Sequence, residues 1–461
     1  MNSTIPTYII NLEKREDRRA HIENEFSGRP EFSVHLVKAI EDSVPAVGLY
    51  RSLHSIVAEA KKQDLPYVLV CEDDHQFTPH YSVQKFLEHI TLLKDLHVDV
   101  FLGGVSWFDC GVRAKEELYW VENFTGTQFL VIFSSFYQRI LDTPFAPDDI
   151  IDKWMAGLSA NIFVAVPMLS VQRDFGYSDV TPKNDGKDIV EELFVNTIAR
   201  WKAFDKIYNH ITRSQLIDRL SDDECEAMQL PVYVINLRER EDRLLSIEEE
   251  FRGRDEFNVH IVDACREANG AIGLWKSIKK AVRLAKERED EVILICEDDH
   301  IFCDAYNKRL LFSAIYQGAH LGADIILGGI SRTGQVIAVN DYLCWIDSFQ
   351  CTQFTVIYDY FFDAILEEEF SEDDAADLKL SQMTPNKYVI HPFISVQRDF
   401  GYSDIPIDDF GTDQYRSLFD SCEKRIDVLR QKAGQFTQDS ARCLNSERNS
   451  ENRIFRERTA Q

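Results

Sequence analysis

The chain contains one long unit twice, and this internal repeat constrains the fold more than any other feature. The segment "YIINLEKREDRR" begins at Tyr8, and the similar segment "YVINLREREDRL" begins at Tyr233, an offset of 225 residues. The same offset relates Asp179 to Asp404, so residues 8–179 and 233–404 correspond without a net insertion. A repeat of this length far exceeds the unit of a solenoid protein. The sequence therefore predicts two tandem domains.

The repeat divides the 461 residues into four predicted parts. The first copy occupies residues 1–182 and the second occupies residues 229–410. Residues 183–228 between them are charged and favour helix, so they are interpreted as a helical linker. The tail, residues 411–461, starts with a helix-favouring stretch and then becomes polar, which predicts a helix followed by a disordered end.

The net charge of −27, from 51 basic and 78 acidic residues, limits the partners of the chain. Such a surface repels nucleic acid and anionic lipid at long range, so no nucleic-acid partner is expected and a nuclease is disfavoured. A phosphate-bearing ligand would need a local cation or a helix N-terminus.

The compartment is inferred from targeting signals and cysteines. The start, "MNSTIPTYII", has no basic region or small-residue cleavage site, and no apolar run approaches the roughly 20 residues that span a bilayer. The 10 cysteines include no CxxC pair. We therefore expect a soluble, cytoplasmic protein in a reducing compartment, and leave open a peripheral attachment to the inner face of a bacterial membrane.

Strand-like and helix-like segments alternate along each copy. "TYIINL", "FSVHLVKA" and "PYVLVC" have the apolar, β-branched character of strands, and amphipathic helical stretches separate them. This order predicts the α/β class, with a mostly parallel, doubly wound sheet in each copy. In such sheets ligands bind beyond the carboxyl ends of the strands.

Three adjacent acids follow a buried strand in both copies, within the identical segment "CEDDH". They are Glu72, Asp73 and Asp74 in the first copy and Glu297, Asp298 and Asp299 in the second. Crowded carboxylates are tolerated around a hard cation such as Mn²⁺ or Mg²⁺, whose remaining ligands are commonly phosphate oxygens. If the segment is extended, the first and third acids point together. The sequence predicts a two-carboxylate metal site open to a diphosphate. The following histidine is interpreted either as a further ligand or as a hydrogen-bonded turn residue.

Two further islands lie at predicted strand ends. The pattern "NLxxRxDR" suits a nucleotide's base, ribose and phosphates, but it also fits a charge network on a helix surface. Its residues are Asn11, Arg15, Asp17 and Arg18, with Asn236, Arg240, Asp242 and Arg243 in the second copy. Glycine pairs follow another strand, where a ligand or the backbone itself can approach closely. They are Gly103 with Gly104, and Gly328 with Gly329.

Taken in order, these islands resemble glycosyltransferase family 25. "YIINLEKREDRR", "VLVCEDD", "VDVFLGG", "TGTQFLVIFSSFYQRIL" and "DDIIDKW" are similar to successive family motifs over most of each copy. The helix "VGLYRS" departs from the family pattern, with Leu49 and Leu53 in place of a Cys and a His. The resemblance implies a GT-A fold, a UDP-sugar donor, Mn²⁺ on the acidic motif, and transfer with inversion at the anomeric carbon.

The resemblance also implies roles for individual residues. Asp74 would bind the metal directly, and Glu72 would bind it through water or lie near the ribose. An inverting transfer needs a general base, and the candidates are Asp152 and Asp149, with Asp377 and Asp374 in the second copy. These acids also fit the start of an exposed helix. Gln172 and Asp179, with Gln397 in the second copy, are expected to close over donor or acceptor, or to form a structural turn.

Three functions follow from these patterns. The first is a hexosyltransferase, with galactose as the family-level donor sugar, acting on a glycan, a lipid-linked glycan as in lipopolysaccharide biosynthesis, or a protein. The second is a module that binds nucleotide sugar or glycan without turnover, in one or both copies. The third is a metal-dependent phosphotransferase or nuclease. Release of UDP with Mn²⁺ and an acceptor distinguishes the first from the others.

Overall fold

A computed structural model describes residues 4–176, 188–214, 216–401 and 416–436. The chain forms two compact units. Unit 1 holds the described residues up to Ile207 together with those after Lys432, and unit 2 is Tyr208–Lys432. The boundary at residue 207 falls inside the predicted linker.

Unit 1 has strands and helices in the alternating order that the sequence indicates. Its strands are β1 Ile5–Asn11, β2 Phe32–Lys38, β3 Tyr67–Glu72, β4 His75–Phe77, β5 Val100–Leu102, β6 Trp107–Phe108, β7 Gly111–Lys115, β8 Leu118–Val121, β9 Phe124–Thr125, β10 Phe129–Phe133, β11 Ile162–Ala165 and β12 Ser170–Gln172. Its helices are α1 Glu16–Phe26, α2 Pro45–Lys62, α3 Val83–Asp95, α4 Ser134–Asp142, α5 Ile151–Leu158 and the larger part of α6, Ile189–Arg213.

The main sheet of unit 1 has eight strands in the order β2-β1-β3-β10-β5-β11-β8-β7. Six of them run in one direction, while β10 and β8 run against their neighbours. The strands at the centre, β3, β10 and β5, are almost entirely buried, which explains their continuous apolar sequence. A separate two-stranded ribbon pairs β4 with β12 and brings residues 170–172 beside His75.

Unit 2 repeats these elements. Its strands are β13 Leu230–Asn236, β14 Phe257–Asp263, β15 Val292–Glu297, β16 His300–Phe302, β17 Ile325–Leu327, β18 Val336–Ala338, β19 Leu343–Ile346, β20 Phe354–Tyr358, β21 Lys387–Ile390 and β22 Ser395–Gln397. Its helices are α7 Asp222–Glu226, α8 Glu241–Phe251, α9 Gly270–Glu287, α10 Lys308–Leu321, a 3₁₀ helix Asp359–Phe361, α11 Phe362–Glu367, α12 Ala376–Met383 and α13, residues 416–436.

The main sheet of unit 2 has the order β14-β13-β15-β20-β17-β21-β19-β18, which is the order of unit 1 element for element. The α/β class and a Rossmann-like sheet in each copy are therefore confirmed. The antiparallel strand between β3 and β5, and between β15 and β17, was not predicted, because an apolar run of five residues carries no information on strand direction.

The repeat continues beyond residues 179 and 404 into a closing helix. In α6, Phe194 and Trp201 are buried, and Trp201 stacks on Phe108 of unit 1 with ring centroids 3.9 Å apart. Residues Phe419 and Ile426 of α13 stand at the same offset of 225 and are also buried. The helical segments expected in the linker and the tail are thus equivalent elements of the repeat.

Two further observations concern the cysteines and the helices of the described residues. The nine described cysteines form no disulfide. None of the described helices combines the length and apolar character that crossing a bilayer requires. The predicted disordered end, residues 437–461, lies outside the described residues, as do Asp179 and Asp404.

Candidate active site

The acid triplet of unit 1 lies at the carboxyl end of β3, where the chain turns into β4. The ends of β1 and β5, at Asn11 and Leu102, belong to the same sheet edge. Asp73 and Asp74 form the turn itself, so the strict alternation expected for an extended segment does not apply. The three carboxylates instead take three different environments.

The middle acid, Asp73, is an anchor within the protein. Asn11 Nδ2 donates to Asp73 Oδ2 at 2.7 Å, and Arg18 Nη1 lies 3.1 Å from Asp73 Oδ1. Unit 2 repeats the contacts, with Asn236 at 2.9 Å and Arg243 at 3.0 Å from Asp298. These side chains, predicted to bind the nucleotide, are used to hold the turn in place.

The third acid, Asp74, is only half satisfied. Its Oδ2 accepts a hydrogen bond from Arg18 Nη1 at 3.1 Å, while its buried Oδ1 has no hydrogen-bond partner among the described residues. Burial raises the pKa of Asp74 to about 6 despite the opposing effect of Arg18. The Oδ1 atom of Asp299 is in the same situation, and burial raises the pKa of Asp299 to about 7.

The first acid, Glu72, accepts a hydrogen bond of 2.5 Å from Thr127 Oγ1. Burial, and next the charge of Asp74, raise its pKa to about 8. In unit 2, Thr352 Oγ1 donates to Glu297 Oε1 at 2.7 Å, and burial with Asp299 raises the pKa of Glu297 to about 8. Without a cation, the first acid of each triplet is therefore largely protonated at neutral pH.

Asp152, a candidate base, reaches the triplet from the first turn of α5. Its Oδ2 accepts a hydrogen bond from the Gly126 backbone N–H at 3.1 Å, next to Thr127, whose hydroxyl donates to Glu72. Burial raises the pKa of Asp152 to about 6.

The rival candidate bases are used in turns. Asp149 Oδ2 accepts from the Ala146 backbone N–H at 2.7 Å, and Asp374 Oδ2 accepts from the Ser371 N–H at 2.7 Å and pairs with Lys379 at 3.0 Å. Asp377 corresponds to Asp152, and its Oδ2 accepts from the Cys351 N–H at 2.9 Å. Within the described residues, it is Asp152 and Asp377 that the fold joins to the triplets.

The remaining residues of the first island lie at the start of a helix. Arg15 precedes α1, and its carbonyl accepts a hydrogen bond from Asn11 Nδ2 at 3.3 Å, while Asp17 is exposed in the first turn. Arg240 and Asp242 hold the same positions before and in α8. The structure therefore separates this part of the island from the buried anchor formed with Asp73.

The glycine pairs are explained by close approach of the chain to itself. A Cβ at Gly103 would lie 2.5 Å from the Phe129 ring, and one at Gly104 would lie 2.0 Å from the Ser170 carbonyl oxygen. At Gly328 and Gly329 the corresponding distances are 2.6 Å to the Phe354 ring and 2.0 Å to the Ser395 carbonyl. An aromatic ring therefore fills the space at the first glycine of each pair, and the backbone fills it at the second.

Two residues next to the triplets have clear structural roles. His75 is fully buried, and its Nδ1 lies 2.7 Å from Ser170 Oγ. Burial lowers the pKa of His75 to about 3, so it is a neutral core residue. Gln172 ends β12 opposite His75. Its counterpart Gln397 reaches the second triplet, donating from Nε2 to Asp299 Oδ2 at 2.9 Å.

Sequence reasoning missed Thr127 and Thr352, whose hydroxyls donate to the first acid of each triplet. The signal was present, because "TQF" occurs in both copies at the offset of 225 residues. A threonine before an apolar run has no distinguishing chemistry until the fold places it near a carboxylate.

The arrangement fits a hard divalent cation at the triplet. Asp74 Oδ1 is a buried oxygen without a partner among the described residues, and Asp74 is close enough to Glu72 for its charge to raise the pKa of Glu72. Only the group Asp109, Cys110 and Glu122 places three potential ligand atoms within 4.8 Å among the described residues. A cation at the triplet would therefore be held by Asp74 and Glu72 and completed by water or phosphate oxygens.

Comparisons with known proteins leave the family unassigned. No family model matches the chain, and no curated protein matches it. Two solved structures show partial similarity. Apo UDP-glucose pyrophosphorylase has 11% identity and a TM-score of 0.25 over 43% of this chain and 81% of its own. UDP-glucose pyrophosphorylase complexed with UDP-glucose has 10% identity and a TM-score of 0.27 over 44% of this chain and 83% of its own. At these TM-scores the likeness supports no conclusion about function.

Proposed function

We propose that this chain is a metal-dependent, inverting glycosyltransferase that uses a nucleoside diphosphate sugar, with the site of unit 1 as an active centre. The observation that carries the proposal is that the adjacent residues Gly126 and Thr127 donate hydrogen bonds to Asp152 and Glu72. The charge of Asp74 acts on Glu72, and the buried Asp74 Oδ1 has no partner among the described residues. The donor is proposed to be a UDP-sugar, and galactose is proposed from the family resemblance.

Glu72 and Asp74 supply the negative charge that a cation requires. Bound Mn²⁺ or Mg²⁺ would stabilise the charge that develops on the departing nucleoside diphosphate. Arg18 keeps Asp74 oriented through its contact with Oδ2 and leaves Oδ1 available. Asp73 remains in its anchor with Asn11 and fixes the turn that presents Glu72 and Asp74.

Asp152 is suited to take the proton of the acceptor. The acceptor hydroxyl oxygen forms a bond to the anomeric carbon while the bond from that carbon to the diphosphate oxygen breaks. The electron pair of the broken bond leaves with the diphosphate, and the hydroxyl proton passes to the Asp152 carboxylate. A pKa of about 6 leaves Asp152 mostly ionised at neutral pH, yet basic enough to accept a proton.

The acceptor class follows only from the reaction. It must present a hydroxyl group, and glycans, lipid-linked glycans and proteins all do so. The net charge of −27 favours acceptors other than nucleic acid. A screen that offers each of the three classes with one donor decides between them.

The test is release of UDP by the full chain from a panel of UDP-sugars with Mn²⁺ and each acceptor class. We expect release that is lost on addition of EDTA and falls at least 100-fold in Asp152→Asn. Asp149→Asn is the matched control, because Asp149 serves a turn and should retain most activity. UDP binding without release would support the binding-module alternative and contradict catalysis.

A further inference from the structure

The two units differ at a position whose backbone contacts the candidate base. Gly126 in unit 1 is replaced by Cys351 in unit 2, and both residues have positive φ, 111° and 83°. Glycine adopts this region without cost, whereas a residue with a Cβ is strained there. The backbone N–H of each residue donates to the candidate base, Asp152 or Asp377. A side chain at this position is therefore attached directly beside the candidate base.

The side chain of Cys351 is surrounded by the groups that would carry out the reaction. Its backbone N–H donates to Asp377, and the next residue, Thr352, donates to Glu297. The sulfur lies 3.0 Å from Ser331 Oγ and 3.8 Å from Gln397 Oε1. In unit 1 the corresponding Gly126 has no side chain, and a Cβ there would lie 2.9 Å from Gln128 Oε1.

The thiol of Cys351 is connected through Gln397 to Asp299, the third acid of the second triplet. Gln397, in contact with the sulfur, donates from Nε2 to Asp299 Oδ2 at 2.9 Å. Arg243 Nη1 lies 3.7 Å from the same oxygen, whereas in unit 1 Arg18 is 3.1 Å from Asp74 Oδ2. The side chain of Gln172 makes no hydrogen bond to Asp74 among the described residues.

This placement matters because an inverting transfer aligns base, anomeric carbon and diphosphate. The sugar must therefore lie between the base and the carboxylates that hold the cation. In unit 2 the contacts of Cys351 link Asp377 on one side to Asp299 on the other. A cation and a diphosphate at Glu297 and Asp299 would leave the thiol in the space of the sugar.

We propose that Cys351 excludes the donor sugar from unit 2, so that unit 2 binds a cation with a nucleoside diphosphate while unit 1 alone transfers the sugar. The inference rests on the proposed function and identifies position 126/351 as the residue that makes the copies unequal. Glycine at this position permits transfer, and a larger side chain prevents it.

The experiment measures UDP release by full-length variants with Mn²⁺, donor and acceptor. Asp74→Asn should reduce release at least 50-fold, because unit 2 does not compensate. Adding Cys351→Gly to Asp74→Asn should raise release at least tenfold above the single variant. Glycine accepts the backbone conformation of residue 351, so this change should not impair folding. Cys351→Ser in the same background keeps a side chain of similar size and should give no gain.

A binding measurement gives an answer that does not depend on turnover. In the Asp74→Asn background, unit 2 should bind UDP with Mn²⁺ at least tenfold more tightly than UDP-galactose with Mn²⁺. The added Cys351→Gly change should reduce that ratio to within about threefold. Equal affinities before the change, or an unaltered ratio after it, would contradict the exclusion of the sugar.

The outcomes separate this inference from the proposed function. If the parent releases UDP but Asp74→Asn retains more than half of the rate, unit 2 is active with Cys351 present and the inference is wrong. If Cys351→Gly adds no release in that background, it is likewise wrong. If the parent releases no UDP from any donor, the proposed function itself fails and this inference fails with it.

Discussion

Thr127 Oγ1 donates a hydrogen bond of 2.5 Å to Glu72 Oε1, across 55 residues of sequence. The backbone N–H of the preceding residue, Gly126, donates to Asp152, so two adjacent residues connect a predicted metal ligand with the predicted base. The bond from Thr127 lowers the pKa of Glu72 against the opposing effect of burial. The hydrogen bond from Thr127 therefore favours the ionised form of Glu72, the form that can bind a cation.

Replacing this hydroxyl should weaken cation binding. Thr127→Val keeps the side-chain shape but removes the donor, so the pKa of Glu72 rises further and protons compete more strongly with Mn²⁺. We expect a loss of affinity on the order of 10-fold at pH 7, corresponding to roughly 1–2 kcal/mol. Titration of Mn²⁺ with UDP measures it. Thr91→Val, on the exposed side of α3, is the control, and equal affinity in both variants would refute the role of Thr127.

The raised pKa of Glu72 predicts a pH-dependent stability. A carboxyl whose pKa rises from 4.5 to about 8 on folding binds more protons in the folded state, so stability falls as pH rises through that window. Without a cation, Glu72→Gln should stabilise the protein at pH 8 by about 4 kcal/mol and have little effect at pH 4.5.

Thermal unfolding at both pH values, with and without Mn²⁺, measures this effect. Added Mn²⁺ should raise the unfolding temperature of the parent more than that of Glu72→Gln, because the variant lacks one ligand. The exposed Glu116→Gln serves as the control and should change stability little at either pH. If Glu72→Gln is instead less stable than the parent at pH 8 without a cation, burial does not destabilise the ionised carboxylate of Glu72.

Glycine-to-alanine substitutions at Gly104 and Gly157 are predicted to have opposite effects on stability, because only Gly104 is tightly packed. Gly104→Ala would place Cβ 2.0 Å from the Ser170 carbonyl oxygen, so the β4–β12 ribbon must move away. We expect a loss of about 3 kcal/mol in the free energy of unfolding. Gly157→Ala, in helix α5 with no atom within 4 Å of the added Cβ, should stabilise by about 0.5–1 kcal/mol. Urea unfolding compares them, and equal effects would contradict the packing role of Gly104.

A buried lysine in unit 2 predicts a stabilising change. Lys387 in β21 is 4% exposed, its Nζ donates to the Thr384 carbonyl at 2.6 Å, and burial lowers its pKa to about 8. Ile162 holds the equivalent, fully buried position in unit 1. Lys387→Ile should therefore raise the free energy of unfolding at pH 7 by an amount on the order of 3 kcal/mol.

The pH dependence of the free energy of unfolding tests whether the buried charge of Lys387 is the cause. The folded state binds fewer protons than the unfolded state between pH 8 and 10.5, so the parent gains stability as pH rises through this window. The advantage of Lys387→Ile should shrink over the same range. Urea unfolding at pH 7 and pH 10 measures both points, with the exposed Lys424→Met as control. An advantage independent of pH would point to packing rather than charge.

Some of the residues at the candidate site could be predicted, because a strand end and an acidic side chain are both recognised from a short stretch of sequence. The acid triplets and Asn11 were expected at strand ends and lie there. Which acid serves as the base was not predictable, because Asp149 and Asp152 stand three residues apart in the same helix-start signal. The fold distinguishes them by turning Asp152 toward Gly126 and Thr127, while Asp149 bonds the chain at Ala146.

The amino-acid sequence by itself determined the duplication, the α/β class and the placement of carboxylates at strand ends, because repeats, hydrophobic periodicity and strand boundaries are encoded by neighbouring residues. Tertiary structure alone decided that β10 enters between β3 and β5, that α6 and α13 close their units, and that Gly126 and Thr127 bond Asp152 and Glu72. It also revealed Cys351 at the site of unit 2. These relations join residues distant in sequence, and they arise only when whole elements pack to bury their apolar faces.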